Sequence, residues 1–286
     1  MKIKTDHPLM TDPIKITNTI ASFWDQISGG WRKIWGPHIH HGFYENNNSI
    51  TPLEAQVKLI EKLAEMLQIT PQSRILDAGC GMGGSSLLLA KKYNAIVNGI
   101  TLSQKQVAIA TQQAQLENVK NVNFKVENAL SLASFADNSF DIVWSLESCE
   151  QFYDKNLFIQ QALRVLKPGG QLMLATWCSS QDEYEGNLAK KYQKLCQAFD
   201  LPFMPTMDHY CSLLKTNHFT LKTTLDWSMH VKKSWEIGIS LANTYSFLQI
   251  LKMAGWRGWR FIHQIKMMRE AFYRNRVKYG VFLATK

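Results

Sequence analysis

One turn limits the folds open to this chain more than any other feature of its sequence. Residues 75–86 read ILDAGCGMGGSS: an apolar pair runs into a cluster of glycines, and a helix-like run, SSLLLAKKY, follows. The pattern predicts a strand, a tight turn and the start of a helix. Glycine tolerates positive φ and lets a ligand lie against the backbone, while the first N–H groups of the helix are free to bind it. The spacing fits a nucleotide-binding loop, although a tight turn without a ligand has the same pattern.

The turn belongs to a series of alternating strands and helices. Strands are predicted at residues 74–77, 96–100, 122–126, 140–145 and 171–176, and helices at 86–93, 104–116 and 156–166. This alternation predicts an α/β fold with a doubly wound parallel sheet and helices on both faces, in which ligands lie at the carboxyl ends of the strands. From Glu183 the pattern becomes mostly helical, apart from a strand near FTLKTTLDWS and a final strand in KYGVFLAT.

The segment before the turn is predicted to be irregular apart from two helices. ITNTIASFWDQI fits a short helix, and TPLEAQVKLIEKLAEMLQI fits a longer one. In the second, Thr51 is the N-cap, Pro52 occupies the first helical position and Glu54 completes a capping box. We therefore expect three parts: an N-terminal arm with its helices (1–70), a core (71–180), and a helical cap with the last strands of the sheet (181–286).

Composition excludes several classes of protein. The chain has 286 residues, and its 45% hydrophobic content can fill a sizeable core. No apolar run approaches the roughly 20 residues of a membrane span, and no signal peptide is recognisable, so a cytoplasmic location is expected. The five cysteines include no C-x-x-C pair, which predicts reduced thiols. Because His38, His40 and His41 lack a companion acid or cysteine at ligand spacing, no metal site is predicted.

The formal net charge of +9 is concentrated toward the C terminus. From Lys252 onward, nine lysines and arginines are opposed only by Glu270, and aromatic residues are interleaved with them. The simplest interpretation is a helix whose aromatic residues are buried and whose cations are solvated. Peripheral attachment to a membrane surface is the alternative, and it suits these residues better than a nucleic acid does, because no RNA-binding or helix-turn-helix signature accompanies them.

The residues around the glycines indicate which nucleotide to expect. An NAD site places an acid at the end of the second strand to hold the ribose hydroxyls, but here that strand ends NGITLS. The acid instead precedes the glycines, as Asp77 in D-x-G-x-G, and SFDIVWS and LKPGG follow downstream. Across residues 50–180 this combination resembles the class I S-adenosylmethionine (SAM) methyltransferases.

Longer stretches of the sequence resemble particular groups within this family. ILDAGCGMGGSSLLLAKKY, GITLSQKQ, WSLESCEQFYDK and WGPHIHHGFY are similar to the γ-tocopherol and sterol methyltransferases, and plant indole-alkaloid N-methyltransferases share the pattern. The resemblance implies a Rossmann-like seven-stranded sheet, N-terminal helices that close over the cofactor, and a helical cap over the acceptor. The chain departs from the tocopherol-type E-S-G-E-H at residues 147–151, which read ESCEQ, and Asn128 stands where Asp is common. These departures bear on the acceptor rather than the cofactor.

The resemblance also implies how SAM is held. Asp77, Gly79 and Gly81 are expected to cradle its methionine part, since free amides near a helix N-terminus suit a carboxylate and Asp77 can pair with the ammonium group. Thr101 and Gln106 are expected to replace the missing ribose acid, because neutral side chains also hydrogen-bond hydroxyls.

Two of these assignments have competing interpretations. Ser103 and Gln106 have the spacing of a capping box, which would occupy the glutamine. Asn128 and Ala129 follow the third strand and are expected to line the adenine, where an amide can pair with the purine edge. An ordinary loop residue is the alternative for Asn128.

Four residues are candidates for a general base: Glu147, Glu150, His40 and His41. Glu147 directly follows the fourth strand, which places it between cofactor and acceptor in this fold. A phenol with a pKa of about 10 becomes a stronger nucleophile once a carboxylate or imidazole takes its proton. A solvated carboxylate is the alternative for Glu150. The segment with both histidines and Tyr44 is expected to fold over the cofactor, where an aromatic face favours the sulfonium; simple packing of the arm is the alternative.

The segment 235–273 is rich in Trp, Phe, Met and Ile, and is expected to cap the acceptor. A mostly apolar wall selects a bulky lipophilic molecule. We therefore predict methyl transfer from SAM to a prenylated phenol, or to a related terpenoid or indole-type metabolite, at ring carbon or nitrogen. An NAD-dependent oxidoreductase and an RNA-modifying or RNA-binding protein are the alternatives.

Overall fold

The fold is taken from a computed structural model, which describes residues 1–45 and 50–286, apart from the side chain of His263. Its strands are β1 (Lys2–Lys4), β2 (Arg74–Ala78), β3 (Ile96–Thr101), β4 (Val122–Val126), β5 (Phe140–Leu146), β6 (Leu166–Ser179), β7 (Glu183–Glu185), β8 (Thr220–Asp226) and β9 (Val277–Thr285). Its helices are α1 (Pro13–Trp35), α2 (Pro52–Ala64), α3 (Gly84–Tyr93), α4 (Gln104–Leu116), α5 (Lys155–Val165), α6 (Gly186–Ala198), α7 (Met207–Thr216), α8 (Ser228–Val231), α9 (Lys233–Ala242) and α10 (Phe247–Tyr273), with a 3-10 turn at Cys149–Gln151.

Seven of these strands form one sheet in the order β4-β3-β2-β5-β6-β9-β8, which confirms the predicted α/β, Rossmann-like fold. The strands of the predicted alternating units, β2 to β6, are parallel as expected, and the final strand β9 runs antiparallel to both of its neighbours. The register explains why. Val277, the first residue of β9, pairs with Ser179 at the carboxyl end of β6. The chain therefore leaves the cap at the carboxyl ends of the parallel strands, so β9 must run back toward their amino ends.

Helices cover both faces of the sheet. On one face α2, α3 and α6 contribute Leu59, Leu89 and Ala189 to the larger apolar core. On the other, α5 and α7 contribute Phe158 and Tyr210. The capping box predicted at Thr51 and Glu54 is present at the start of α2. In the part of the chain that the structure describes, every helix is too short or too polar to cross a bilayer.

Helix α1 is longer than the short helix predicted at residues 16–27. Asp12 caps its N-terminus by accepting a hydrogen bond of 3.0 Å from the Lys15 amide. The adjacent Gly29 and Gly30 read as a helix stop, yet both are helical. Gly30 packs so closely on α10 that an added Cβ would lie 2.5 Å from the Met253 carbonyl oxygen. Packing on a helix more than 200 residues away thus extends α1, which no local pattern could show.

This packing generates a first prediction. Gly30→Ala should destabilise the fold by about 1–3 kcal/mol, because α1 and α10 would be forced apart. Gly29→Ala is the matched control: a Cβ at residue 29 meets nothing within 4 Å among the described residues, and the substitution should stabilise the helix by about 0.5–1 kcal/mol. Urea unfolding of both variants measures the difference. Equal free energies of unfolding would contradict the close approach of the two helices.

Candidate active site

Two cavities meet at the carboxyl ends of the central strands. The first, a cleft of about 980 Å³ that is open to solvent, lies beside the glycine turn. The second, of about 760 Å³, lies under α9 and α10. Trp24, Ile39, Glu147 and Gln151 line both cavities and so form a shared wall. The two cavities therefore adjoin at these four residues.

The glycine turn forms a cradle in the first cavity. Gly79 has φ of +88° and Gly81 has φ of +53°, a region that side chains rarely adopt. A Cβ on Gly79 would overlap Ser148, whose hydroxyl donates to the Ala78 carbonyl at 2.6 Å. A Cβ on Gly81 would lie 3.1 Å from Ile39 Cδ1. Ser148 and Ile39 also line the cavity, so a side chain on either glycine would project among the residues that surround the ligand space.

Asp77 lies at the base of this cradle and is 2% exposed. Burial raises the pKa of its carboxyl to about 7, although the Ser86 hydroxyl donates to Oδ2 at 2.6 Å and opposes the shift. Such a carboxyl favours a cationic ligand, since a cation stabilises its charged form.

Thr101 and Gln106 lie side by side in the first cavity, as predicted for ribose binding. The Thr101 hydroxyl donates to Gln106 Oε1 at 2.6 Å. Ser103 does cap α4, because its Oγ accepts from the Gln106 amide at 3.1 Å. The competing capping box is incomplete, however, because the Ser103 amide donates to Thr101 Oγ1 and not to the glutamine. The side-chain amide nitrogen of Gln106 can therefore donate to a ligand hydroxyl.

Asn128 and Ala129 line the same cavity beyond the end of β4. Asn128 Oδ1 accepts a hydrogen bond of 2.9 Å from the Leu130 amide. This local contact shapes the turn, and it leaves the amide nitrogen as the Asn128 group suited to pair with a purine edge.

Glu147 stands at the centre of a hydrogen-bond network in the shared wall. Its Oε1 accepts from the His41 amide and from the Tyr279 hydroxyl, both at 2.9 Å. Its Oε2 lies 2.6 Å from His41 Nδ1, which donates. Burial alone would raise the pKa of Glu147, but the electrostatic attraction and hydrogen bonds of His41 outweigh burial and lower it. Glu147 is thus a carboxylate with its oxygens already engaged, and His41, whose Nδ1 it holds, lines the second cavity.

Glu150 belongs to the second cavity. It is 3% exposed, so the alternative of a solvated carboxylate is wrong. Burial, together with the charge of Glu147, raises its pKa to about 8. Its Oε1 accepts from the Trp177 amide at 3.3 Å. The two acids that sequence reasoning grouped together therefore differ: Glu147 is charged, and Glu150 carries a proton at neutral pH.

The remaining arm residues separate into two groups. His38 and His40 line the first cavity, where burial lowers both pKa values, that of His38 to about 3. Both rings are therefore neutral, and His40 Nδ1 donates to the His41 carbonyl at 2.8 Å. Tyr44 is not among the described residues that line either cavity. Its ring lies under Lys233, and its amide donates to the His230 carbonyl at 2.9 Å.

Sequence reasoning missed the contribution of α1 to the shared wall. Trp24 Nε1 donates to Gln151 Oε1 at 2.8 Å, and Gln151 Nε2 donates to the Phe199 carbonyl at 3.2 Å. The glutamine that replaces the histidine of the tocopherol-type pattern thus joins α1 to the cap. The aromatic residues in IASFWDQI were the available signal, but a core role would account for them equally well.

Comparisons with known proteins identify the family. The methyltransferase domain family matches residues 69–233. The tocopherol O-methyltransferase of Arabidopsis thaliana, named as chloroplastic, is 33% identical over 93% of this chain and 81% of its own length. The chain belongs to the class I SAM-dependent methyltransferases, in the tocopherol methyltransferase group. A 2-methyl-6-phytyl-1,4-hydroquinone methyltransferase of Synechocystis is 30% identical over 94% of this chain and 88% of its own length.

Solved structures agree on the fold of this methyltransferase. The cyclopropane synthase MmaA2 of Mycobacterium tuberculosis superposes with a TM-score of 0.82 at 19% identity, over 94% of this chain and 98% of that one. A geranyl diphosphate C-methyltransferase of Streptomyces coelicolor, solved with S-adenosyl-L-homocysteine, has a TM-score of 0.72 at 20% identity, over 97% and 99%. None of these matches supports the oxidoreductase or RNA alternatives.

The first cavity of the methyltransferase fits SAM. Gly79 and Gly81 present bare backbone, the buried carboxyl of Asp77 suits an ammonium group, and Thr101 with Gln106 can meet two ribose hydroxyls. His38 adds a neutral ring whose buried Nδ1 has no hydrogen-bond partner among the described residues, so a ligand atom can supply one.

A second prediction tests this assignment. Gly81→Val should abolish SAM binding in isothermal calorimetry, because its side chain fills the space that the cofactor needs. Gly186→Val is the matched control: its φ of +57° imposes a similar backbone cost, of about 1–2 kcal/mol, but a Cβ there meets nothing within 4 Å among the described residues. Full SAM affinity in both folded variants would place the cofactor elsewhere.

Proposed function

We propose that this methyltransferase transfers a methyl group from SAM to a prenylated phenol or a closely related lipophilic aromatic, at a ring carbon. The observation that carries this proposal is the second cavity. Aromatic side chains dominate its lining (Phe23, Trp24, Trp31, Trp35, Trp177, Phe199, Trp235 and Phe261), and the His41–Glu147 pair stands where it adjoins the cofactor cleft. Apolar walls with a few convergent polar groups select such a molecule. The names of the plant and cyanobacterial relatives, a tocopherol and a phytyl-hydroquinone methyltransferase, support the same class of acceptor.

The pair at the shared wall suggests how the acceptor is activated. Glu147 already accepts three hydrogen bonds and has a lowered pKa, so it is a weak base. Its contact with Nδ1 keeps a proton on that nitrogen and directs Nε2 toward the acceptor. We assign His41 as the residue that takes the phenol proton, and Glu147 as the residue that orients the imidazole. After the ring carbon has gained the methyl group, the ring proton at that carbon leaves to solvent and the imidazolium returns its proton to the oxygen, which restores the phenol. When bound, SAM supplies a methyl group on a cationic sulfur, which leaves as neutral S-adenosylhomocysteine.

The shared wall contributes by position. Trp24, Ile39 and Glu147 line both cavities, so the same few side chains border the cofactor and the acceptor. Holding two reactants at attack distance supplies much of the acceleration in a displacement of this kind.

A third prediction tests the pair. Glu147→Gln should slow kcat by about 10²–10⁴-fold with a prenylated phenol while SAM affinity stays intact. The amide nitrogen would donate to Nδ1, so the imidazole proton would move to Nε2 and block the base. The defect should shrink as pH approaches the phenol pKa of about 10, since solvent then supplies the phenolate.

Tyr279→Phe is the control, because it removes one donor to Glu147 and leaves both His41 contacts in place. Its kcat should stay close to that of the wild type. Wild-type rates for Glu147→Gln from about pH 6 to about pH 10 would exclude the oriented imidazole and leave proximity alone as the mechanism.

We also propose that the first half of α10 attaches the enzyme to anionic membranes, where a lipophilic acceptor would be dissolved. Leu248 is 73% exposed and Trp256 is 60% exposed, beside the exposed cations Lys252, Arg257 and Arg260. The simplest interpretation of the C-terminal region, in which its aromatic residues are buried, holds for Phe272 and Tyr279 but is wrong for Trp256. The expected cytoplasmic location stays a prediction.

A fourth prediction follows from this surface. Sedimentation with vesicles that contain an anionic phospholipid should weaken as salt rises, and Lys252→Gln and Arg260→Gln should each lower binding by about 1 kcal/mol, or about fivefold. Lys215→Gln, on α7 at the opposite face of the sheet, is the control and should bind normally. Vesicle binding that none of these charges alters would contradict the proposal.

A further inference from the structure

Glu150 is a buried acid that the proposed base chemistry does not use. Its Oε1 accepts from the Trp177 amide, but its Oε2 has no hydrogen-bond partner among the described residues. The Thr176 hydroxyl lies close enough to hydrogen-bond this carboxyl and lowers its pKa, but the geometry in the described chain leaves both oxygens without a well-formed bond. Buried polar oxygens that are poorly paired cost free energy, so this corner of the cavity suits a ligand that can hydrogen-bond to it.

The turn that carries Glu150 is held firmly in place. The Lys155 ammonium, 1% exposed, donates to the carbonyls of Glu150 at 3.0 Å, Phe152 at 2.7 Å and Phe203 at 3.1 Å. Its three protons are therefore all engaged. Together with the Gln151 bridge between Trp24 and Phe199, this contact fixes the backbone of Glu150 under the cap. The side chain cannot reach solvent by a local shift of the turn.

The surroundings of Glu150 indicate what its partner is. It lines the acceptor cavity and not the cofactor cleft, and its neighbours there are mainly aromatic. Gln151 has both ends of its amide engaged, and the Ser234 hydroxyl accepts from the Gly42 amide at 2.9 Å. Among the described residues of this lining the acids are Glu147 and Glu150, and three donors already engage Glu147. An acceptor in the cavity thus meets two separate acidic groups, together with the indole N–H groups of Trp31, Trp177 and Trp235, which can donate but not accept.

We propose that Glu150 is a specificity-determining residue that hydrogen-bonds a second oxygen of the acceptor, distinct from the phenol that His41 deprotonates. This inference rests on the proposed function and narrows it to aromatics with two oxygen substituents, such as a second hydroxyl or a ring ether. Because burial raises the pKa of Glu150 to about 8, its carboxyl can donate a proton to that oxygen as well as accept from it.

The experiment uses two prenylated ligands that share a side chain and differ by one ring hydroxyl, a phenol and the matching hydroquinone. Each is titrated into the enzyme saturated with S-adenosylhomocysteine, and binding is followed by tryptophan fluorescence, since Trp177 and Trp235 line the cavity. The wild type should prefer the hydroquinone by about 10–100-fold. Glu150→Gln should keep most of this preference, because an amide also donates and accepts. Glu150→Leu should lose it by binding the hydroquinone more weakly.

Thermal unfolding and S-adenosylhomocysteine affinity check that the variants fold, and the wild-type comparison remains decisive if the leucine variant does not. Equal wild-type affinity for the two ligands would overturn the inference and leave the proposed function standing, as would an unchanged preference in a folded Glu150→Leu. Failure of both ligands to bind would overturn the proposed function and the inference together.

Discussion

A buried carboxylate joins the three parts of the site. Glu147 follows β5 with φ of +49°, a strained conformation for a residue other than glycine, and its side chain is 8% exposed. Burying a charge is costly unless it is paired and hydrogen-bonded. His41 from the N-terminal arm and Tyr279 from the last strand provide those bonds. The arm, the central sheet and the C-terminal strand are therefore held together by one group, and both cavities depend on it.

This arrangement gives the two cavities a common wall. Because His41 is held against Glu147, the preceding arm residues lie over the glycine turn, where Ile39 approaches Gly81. Trp24 of α1 completes the wall through Gln151. The cofactor cleft and the acceptor cavity consequently depend on the same contacts. The aromatic cavity is formed by α1, α9 and α10 packing on the wall, which explains why its lining comes from such distant parts of the chain.

Local sequence patterns are sufficient to predict the site residues that directly follow the parallel strands. Asp77 and Glu147 directly follow buried strand residues, and the carboxyl ends of neighbouring parallel strands must adjoin. Tyr279 could not be found in this way, because it comes from an antiparallel strand whose place in the sheet is set by the cap. Trp24 lies within the predicted first helix, but its contact with Gln151, 127 residues further along the chain, is set by tertiary packing that no local pattern shows. Tyr44 is not in the described lining of either cavity: it is buried, and its amide donates to the His230 carbonyl, which packs this part of the arm against α8.

The most direct test of this account is a crystal structure of the enzyme with S-adenosylhomocysteine and a prenylated phenol bound together. S-adenosylhomocysteine should lie against Gly79 and Gly81 in the cleft. The phenol should lie in the aromatic cavity, with its oxygen within hydrogen-bond distance of His41 Nε2. The ring should approach the sulfur across the shared wall. A phenol bound outside the aromatic cavity, or inside it with its oxygen away from His41 and Glu147, would contradict the assignment of this pair to acceptor activation.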